Sequence, residues 1–195
     1  MKNNIILIGY MGCGKSTIGC ELAKKMGMKF LDTDEWIEEK VGNTISEIFA
    51  LRGEAYFRDL ETECLKEFLR GKKRFEDFTS KTEMYVDEVC RKEQELVISV
   101  GGGLPVREEN QSLLRQLGHV IYLKAEPETV YERIKGDTAR PLLQTENPRQ
   151  RIKDMMAVRE EKYQAAAQTI IIVDGKDVSE ILEEVMEAME KTAIW

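Results

Sequence analysis

The chain has 195 residues, 42% hydrophobic and 33% charged, with 29 Lys+Arg against 36 Asp+Glu for a formal net charge of −7. This is the composition and length of one globular domain, residues 1–195, and it excludes collagen-like or bulk-disordered character. An acidic chain lacks the basic surface that nucleic acid demands, and apolar runs such as Ile5–Ile8 fall far short of the ~18 residues of a membrane span, so neither nucleic acid nor membrane is an expected partner.

Ile5–Ile8 reads as a first buried strand. It follows Met1-Lys2-Asn3-Asn4 with no apolar secretory core, so a cytoplasmic protein is expected. The four cysteines (Cys13, Cys20, Cys64, Cys90) form no C-x-x-C pair and the only histidine is His119, which fits reduced thiols rather than a zinc cluster. The strand runs into Gly9-Tyr10-Met11-Gly12-Cys13-Gly14-Lys15-Ser16-Thr17, a G-x-x-x-x-G-K-[S/T] loop, and a helical pattern over Ser16–Met26 follows. The chemistry needs these residue types. Glycines let successive backbone N–H groups point at phosphate, and the helix N-terminus adds its dipole. Lys15 reaches the β and γ oxygens, and the Ser16 hydroxyl suits Mg²⁺. The loop implies a nucleoside triphosphate but names no acceptor.

The second strand, Met28–Leu31, is the weakest of five and leads to Asp32-Thr33-Asp34. In extended chain, residues i and i+2 share a face, so both carboxylates are expected to face the crevice. Asp32 would then face hydrated Mg²⁺ and Asp34 a substrate hydroxyl; the alternative is that either one caps the next helix. Helical patterns over Asp34–Val41, Ile45–Phe49 and Glu54–Leu69 follow. The last carries Phe57, Leu60, Cys64, Leu65 and Phe68 on one stripe. Arg58 lies early in it with Glu54 and Glu61 at i−4 and i+3, which also fits a solvated ion pair.

A third strand, Leu96–Val100, ends in Gly101-Gly102-Gly103, which lets a ligand touch backbone. It does not end in an aspartate, and this directs Mg²⁺ support to Asp32. After a helix over Glu108–Leu117, a strand over His119–Leu123 and a helix over Pro127–Lys135, residues 135–147 read as a mobile surface loop. Its Arg140 is placed to neutralise charge on the γ-phosphate, or is an ordinary loop arginine. The helix Asn147–Ala167 carries Arg159 with Tyr163 one turn on; alone, Arg159 reads as a surface charge. A strand over Thr169–Val173 and a helix over Val178–Met189 complete the chain. Strand–helix alternation with continuous Val/Ile runs implies an α/β fold whose parallel sheet is covered on both faces, with ligands beyond the carboxyl ends of the strands.

In this order, Gly9–Thr17, Asp32 and Asp34, Gly42–Phe49 (GNTISEIF), Gly53–Glu61 (GEAYFRDLE), Gly101–Gly103, Arg140–Leu143 (RPLL) and Arg159 with Tyr163 resemble the shikimate kinase family. The resemblance implies a P-loop kinase fold, a three-layer α/β/α sandwich with a five-stranded parallel sheet in order 2-3-1-4-5. It implies transfer of the ATP γ-phosphate to the 3-hydroxyl of shikimate in aromatic amino-acid biosynthesis, by a monomer. Carried over residue by residue, Gly12, Cys13, Gly14, Lys15, Ser16, Thr17 and Arg140 would bind ATP. Asp34, Arg58, Gly102 and Arg159 would bind shikimate. Ser16 would hold Mg²⁺ directly and Asp32 through water, and Lys15, Asp34 and Arg140 would be catalytic. The guanidinium groups suit the acceptor's carboxylate.

The chain departs from the pattern in three places. Residues 71–94 lengthen the connection into Gly101–Gly103, as an extension of the helix into an antiparallel hairpin, a cover for the substrate mouth or a partner surface, or a solvated excursion. Arg159 is followed by Glu160-Glu161-Lys162-Tyr163 where the family usually has Pro-Leu-Tyr. The loop Asp174-Gly175-Lys176-Asp177 has no arginine, leaving Lys176 to take that place. Two other readings remain at this point: a related kinase acting on an acceptor such as gluconate, and a nucleotide-binding module without turnover.

Overall fold

In the computed structural model, residues 4–70, 95–136 and 145–192 are described. The insertion at 71–94 and most of the expected lid, Arg140 included, lie outside them. The elements run β1 (Asn4–Ile8), α1 (Lys15–Met26), β2 (Lys29–Asp32), α2 (Thr33–Val41), α3 (Ile45–Leu69), β3 (Leu96–Ser99), a 3₁₀ turn (Leu104–Val106), α4 (Glu108–Leu117), β4 (Gly118–Lys124), α5 (Pro127–Ile134), α6 (Pro148–Ala166), β5 (Thr169–Ile172) and α7 (Val178–Lys191). The strands pair in parallel in the order β2-β3-β1-β4-β5, the expected order. Register is set at the centre, where Ile6 lies beside Ile98 on one side and Val120 on the other.

The sequence explains the layering. Every residue of β1 and β3 is buried, as continuous apolar strands between two helical layers should be. α1 and α7 pack together on one face, while α3, α4 and α6 pack on the other. The edge strand departs from the expectation of two covered faces. In β5, Ile171 is buried, but Ile170 and Ile172 are 46% and 55% exposed. α7 lies against β5, whereas α6 packs over its neighbour β4, which leaves the outer side chains of the edge uncovered.

Two further differences matter for the site. The stretches Ile45–Phe49 and Glu54–Leu69 form one helical run, broken at Gly53 by φ 80°, ψ 170°. Only a residue free of Cβ sits easily there, so the chain turns without a loop. Also, β2 ends on Asp32 and α2 begins at Thr33, so Asp34 is helical rather than extended.

Candidate active site

The carboxyl ends of β1, β2 and β3 open into a cleft of about 700 Å³. Met11 to Ile18 line one wall; Asp32, Asp34, Val100, Gly101 and Gly102 line the other; Lys176, Asp177 and Arg133 reach its mouth. The size suits a nucleotide together with a small acceptor.

The phosphate loop is shaped by close approach. Gly9 has φ 148°, and a Cβ there would stand 2.6 Å from the Leu123 carbonyl oxygen of β4. The chain can pass β4 only as glycine. The loop then delivers Lys15 and Ser16 to the N-terminus of α1, the positive end of its dipole. The Lys15 ammonium donates to the carbonyls of Gly9 (3.0 Å) and Tyr10 (3.1 Å), which holds it inside the loop.

Asp32 caps the next helix, one of the readings made of it, and also reaches the phosphate loop. Its Oδ1 accepts the Asp34 backbone N–H at 2.9 Å and so caps α2, while its Oδ2 accepts the Ser16 hydroxyl at 3.2 Å. Two oxygen donors therefore meet at the phosphate end of the cleft. This is the hard, partial donor set that suits Mg²⁺ with phosphate and water as its other ligands. No cluster of three His, Cys, Asp or Glu ligands exists among the described residues.

Both carboxylates line the cleft as expected, but Asp34 arrives by a different route. The buried Thr33 hydroxyl accepts the Gly101 N–H at 3.0 Å and ties the start of α2 to the glycine loop. Asp34 is thereby pressed against Gly101, where a Cβ would lie 2.4 Å from its Oδ1. That oxygen is buried with no hydrogen-bond partner among the described residues. Burial, and then the neighbouring Asp32, raise the Asp34 carboxyl from 3.8 to about 6. A buried acceptor oxygen facing a cleft beside a phosphate loop is chemically suited to a hydroxyl.

Arg58 makes the solvated i,i+4 pair, with the exposed Glu54, and a second pair with a buried carboxylate. One nitrogen donates to Glu61 at 2.8 Å and another to Glu54 at 2.8 Å; the Glu61 side chain has no exposure. The guanidinium also lies against Gly103, where a Cβ would fall 2.1 Å from its Nη1. From the other side, α6 brings Arg159 within 3.5 Å of the Gly102 carbonyl oxygen, which also accepts the Tyr163 hydroxyl at 2.6 Å. Two cations from separate helices thus bracket one glycine loop, next to the unpartnered Asp34 oxygen.

Sequence reasoning noted Glu61 only as a neighbour of Arg58. It lies buried between Arg58 and Gly101, with its Oε1 unpartnered, and burial raises its carboxyl to about 7. The spacing could have shown this, since residue 61 falls on the stripe of Phe57, Cys64, Leu65 and Phe68. Arg133, absent from the expectations, borders the cleft and donates to the Gly12 carbonyl at 3.3 Å; one arginine on a surface helix gives no sequence signal. Lys176 does line the cleft, but its ammonium is held by Glu184.

A loop built for phosphates, facing a carboxylate built for a hydroxyl, defines a P-loop kinase acting on a small molecule. The family model described as shikimate kinase matches residues 11–75 and 71–190. A shikimate kinase of Thermodesulfovibrio yellowstonii is 38% identical over 188 residues, 96% of this chain and 95% of the relative. One of Persephonella marina is 39% identical over 183 residues, covering 94% and 96%. The structure of shikimate kinase from Acinetobacter baumannii in complex with shikimate is 33% identical, with a TM-score of 0.81 over 98% of this chain and 95% of that one. The chain belongs to the shikimate kinase family.

Proposed function

We propose that this enzyme transfers the γ-phosphate of ATP to the 3-hydroxyl of shikimate, in aromatic amino-acid biosynthesis. The observation that supports the residue assignments is the convergence of Arg58 and Arg159 on the loop Gly101–Gly103, whose Gly101 and Gly102 line the phosphate-loop cleft together with Asp34. The two guanidiniums and the loop backbone receive the acceptor's carboxylate, and a fork of donors fixes the ring's orientation as a point charge would not. Asp34 accepts the hydrogen bond of the 3-hydroxyl and aims its oxygen at the γ-phosphorus.

The backbone of Gly12–Thr17 cradles the phosphates, and Lys15 turns its charge from the loop carbonyls onto the β and γ oxygens. Mg²⁺, held by Ser16 directly and by Asp32 through water, would offset phosphate charge. As the acceptor oxygen bonds to the γ-phosphorus, the bond to the β–γ bridging oxygen breaks and ADP departs; the hydroxyl proton passes to Asp34. Arg140 is assigned from the sequence to the charge that develops on the transferring group. Positioning supplies much of the rate, because a loose phosphoryl-transfer transition state asks little of a base. A single domain over residues 1–195, acting as a cytoplasmic monomer, completes the reading. No helix among the described residues is long and apolar enough to cross a membrane.

A coupled ADP-release assay with ATP and Mg²⁺, comparing shikimate, gluconate and no acceptor, tests this. Shikimate-dependent turnover is expected. Turnover with gluconate alone would defeat the acceptor assignment, and none with either acceptor would favour a module that only binds nucleotide.

A further inference from the structure

The segment Glu160-Glu161-Lys162 separates Arg159 from Tyr163, and two of its three side chains make specific contacts with the body of the fold. The Glu160 carboxylate accepts from the Tyr122 hydroxyl at 2.7 Å, the Lys124 ammonium at 2.7 Å and the Gln164 amide at 2.6 Å. Partial burial works against its charge, yet these three donors hold its carboxyl below the ordinary value. Lys162 donates to Glu108 of α4 at 2.8 Å, which holds the same turn from another direction. The Tyr122 and Tyr163 rings pack with centroids 5.2 Å apart.

Tyr122 and Lys124 are two apart on β4 and so point to the same face of the sheet, towards α6. Between them, the Leu123 carbonyl oxygen abuts Gly9 at the entrance to the phosphate loop. One short stretch of β4 therefore touches the donor loop through its backbone and grips α6 through its side chains. The geometry points to Glu160 as a positioning residue of the acceptor subsite. Its grip on Tyr122 and Lys124 sets the rotation of α6, and with it the seating of Arg159 and Tyr163 on the Gly102 carbonyl. β4 thus becomes the common reference for donor and acceptor. The kinetic part of this inference rests on the reading of Arg159 as a ligand of the acceptor carboxylate.

The test is Glu160→Ala beside Glu160→Gln, assayed well below their unfolding temperatures. Glu160→Ala should raise the shikimate KM roughly tenfold and leave the ATP KM within about twofold. Glu160→Gln, which can still accept from Tyr122, should recover most of the loss. A shikimate KM within about twofold of wild type in Glu160→Ala, or an equal rise in both KM values, would overturn the role. If Glu160→Ala fails to fold, Tyr122→Phe carries the test, with a smaller rise confined to shikimate; no rise overturns the proposal. A crystal structure of Glu160→Ala, or of Tyr122→Phe in its place, gives an answer independent of the acceptor. Displacement of the Tyr163 hydroxyl from Gly102 supports the role, and an unmoved contact refutes it. Wild-type enzyme without shikimate-dependent turnover would sink the proposed reaction and leave that structural answer standing.

Discussion

The two halves of the cleft are built on opposite plans. The phosphate half is nine consecutive residues, Gly9 to Thr17, bent between one strand and one helix. The half proposed to receive the acceptor is gathered from α2, α3, the loop after β3 and α6, and brings residue 34 to residue 101 and residue 163 to residue 102. The first is held largely by its own backbone turn, with β4 and α5 closing on it at Gly9 and Gly12. The second is held by a relay of tertiary contacts: Thr33 to Gly101, Glu61 to Arg58, Tyr163 to Gly102. A local device tolerates changes elsewhere in the chain, whereas a distributed one has many parts whose loss is felt at the same small ligand.

The largest effect should come from the local half. Lys15→Ala removes the ammonium that the loop encloses, and turnover should fall by roughly 10²–10³-fold or more. Nucleotide binding should weaken with it while the fold persists. Near-wild-type turnover in a steady-state assay would break the assignment of charge to the donor side.

Arg58→Ala should come next and should separate the halves. The shikimate KM should rise by roughly 10- to 100-fold while the ATP KM stays within about twofold, since a charge-assisted contact is worth about 1.5–3 kcal/mol. Loss of Arg58 also strips Glu61 of its cation, but a carboxyl already raised to about 7 can take up a proton instead. The variant should therefore fold and remain assayable. A parallel rise in both KM values would show that the halves are coupled more tightly than their construction suggests.

Gly101→Ala probes the seam between the halves. The added Cβ would meet Asp34 Oδ1 at 2.4 Å and Glu61 Oε1 at 3.0 Å, so the Asp34 carboxylate must move. A loss of roughly tenfold in kcat is expected, with ATP affinity retained, as follows from misplacing a group that aims the nucleophile. Unchanged kcat would mean that Asp34 does not set the line of attack.

The same contrast decides what was legible in the chain. The phosphate loop could be read because it is contiguous, and strand–helix alternation pointed to a covered parallel sheet; the order of its strands came from the family resemblance alone. Arg58 and Arg159 were reached through the resemblance, since an arginine between two glutamates also describes a surface ion pair. The i, i+2 argument for Asp34 failed because Asp32 caps α2 and makes the next residues helical; the backbone turned where the strand was expected to continue. Glu61 was passed over because acidic residues on helices are usually solvated, and only its place on the apolar stripe marked it as buried. Arg133 and the Glu160 contacts gave no sequence signal, because they depend on how α5 and α6 sit over the sheet.

A change in stability rather than in rate isolates Glu61. Its carboxyl is raised from 4.5 to about 7 by burial, opposed by Arg58. Between those pH values the unfolded chain has lost the proton that the folded chain keeps. Folding is then linked to proton uptake, and stability falls as pH rises through the window, with a slope from this group of up to about 1.4 kcal/mol per pH unit. Asp34, raised to about 6, adds a term of the same sign over the lower part of the window. Carboxyls such as Glu47, held low by its hydrogen bonds to Thr44 and Asn43, contribute the opposite sign and are common to both proteins. Glu61→Gln cannot ionise, but keeps an oxygen for the Arg58 donor. The difference in unfolding free energy between wild type and variant, measured by urea titration from pH 4.5 to 7, should therefore move steadily in favour of the variant as pH rises. A difference that stays flat would mean that Glu61 is ionised throughout and that Arg58 outweighs its burial; the acceptor half would then be held by a full ion pair rather than by a shared, half-neutral one.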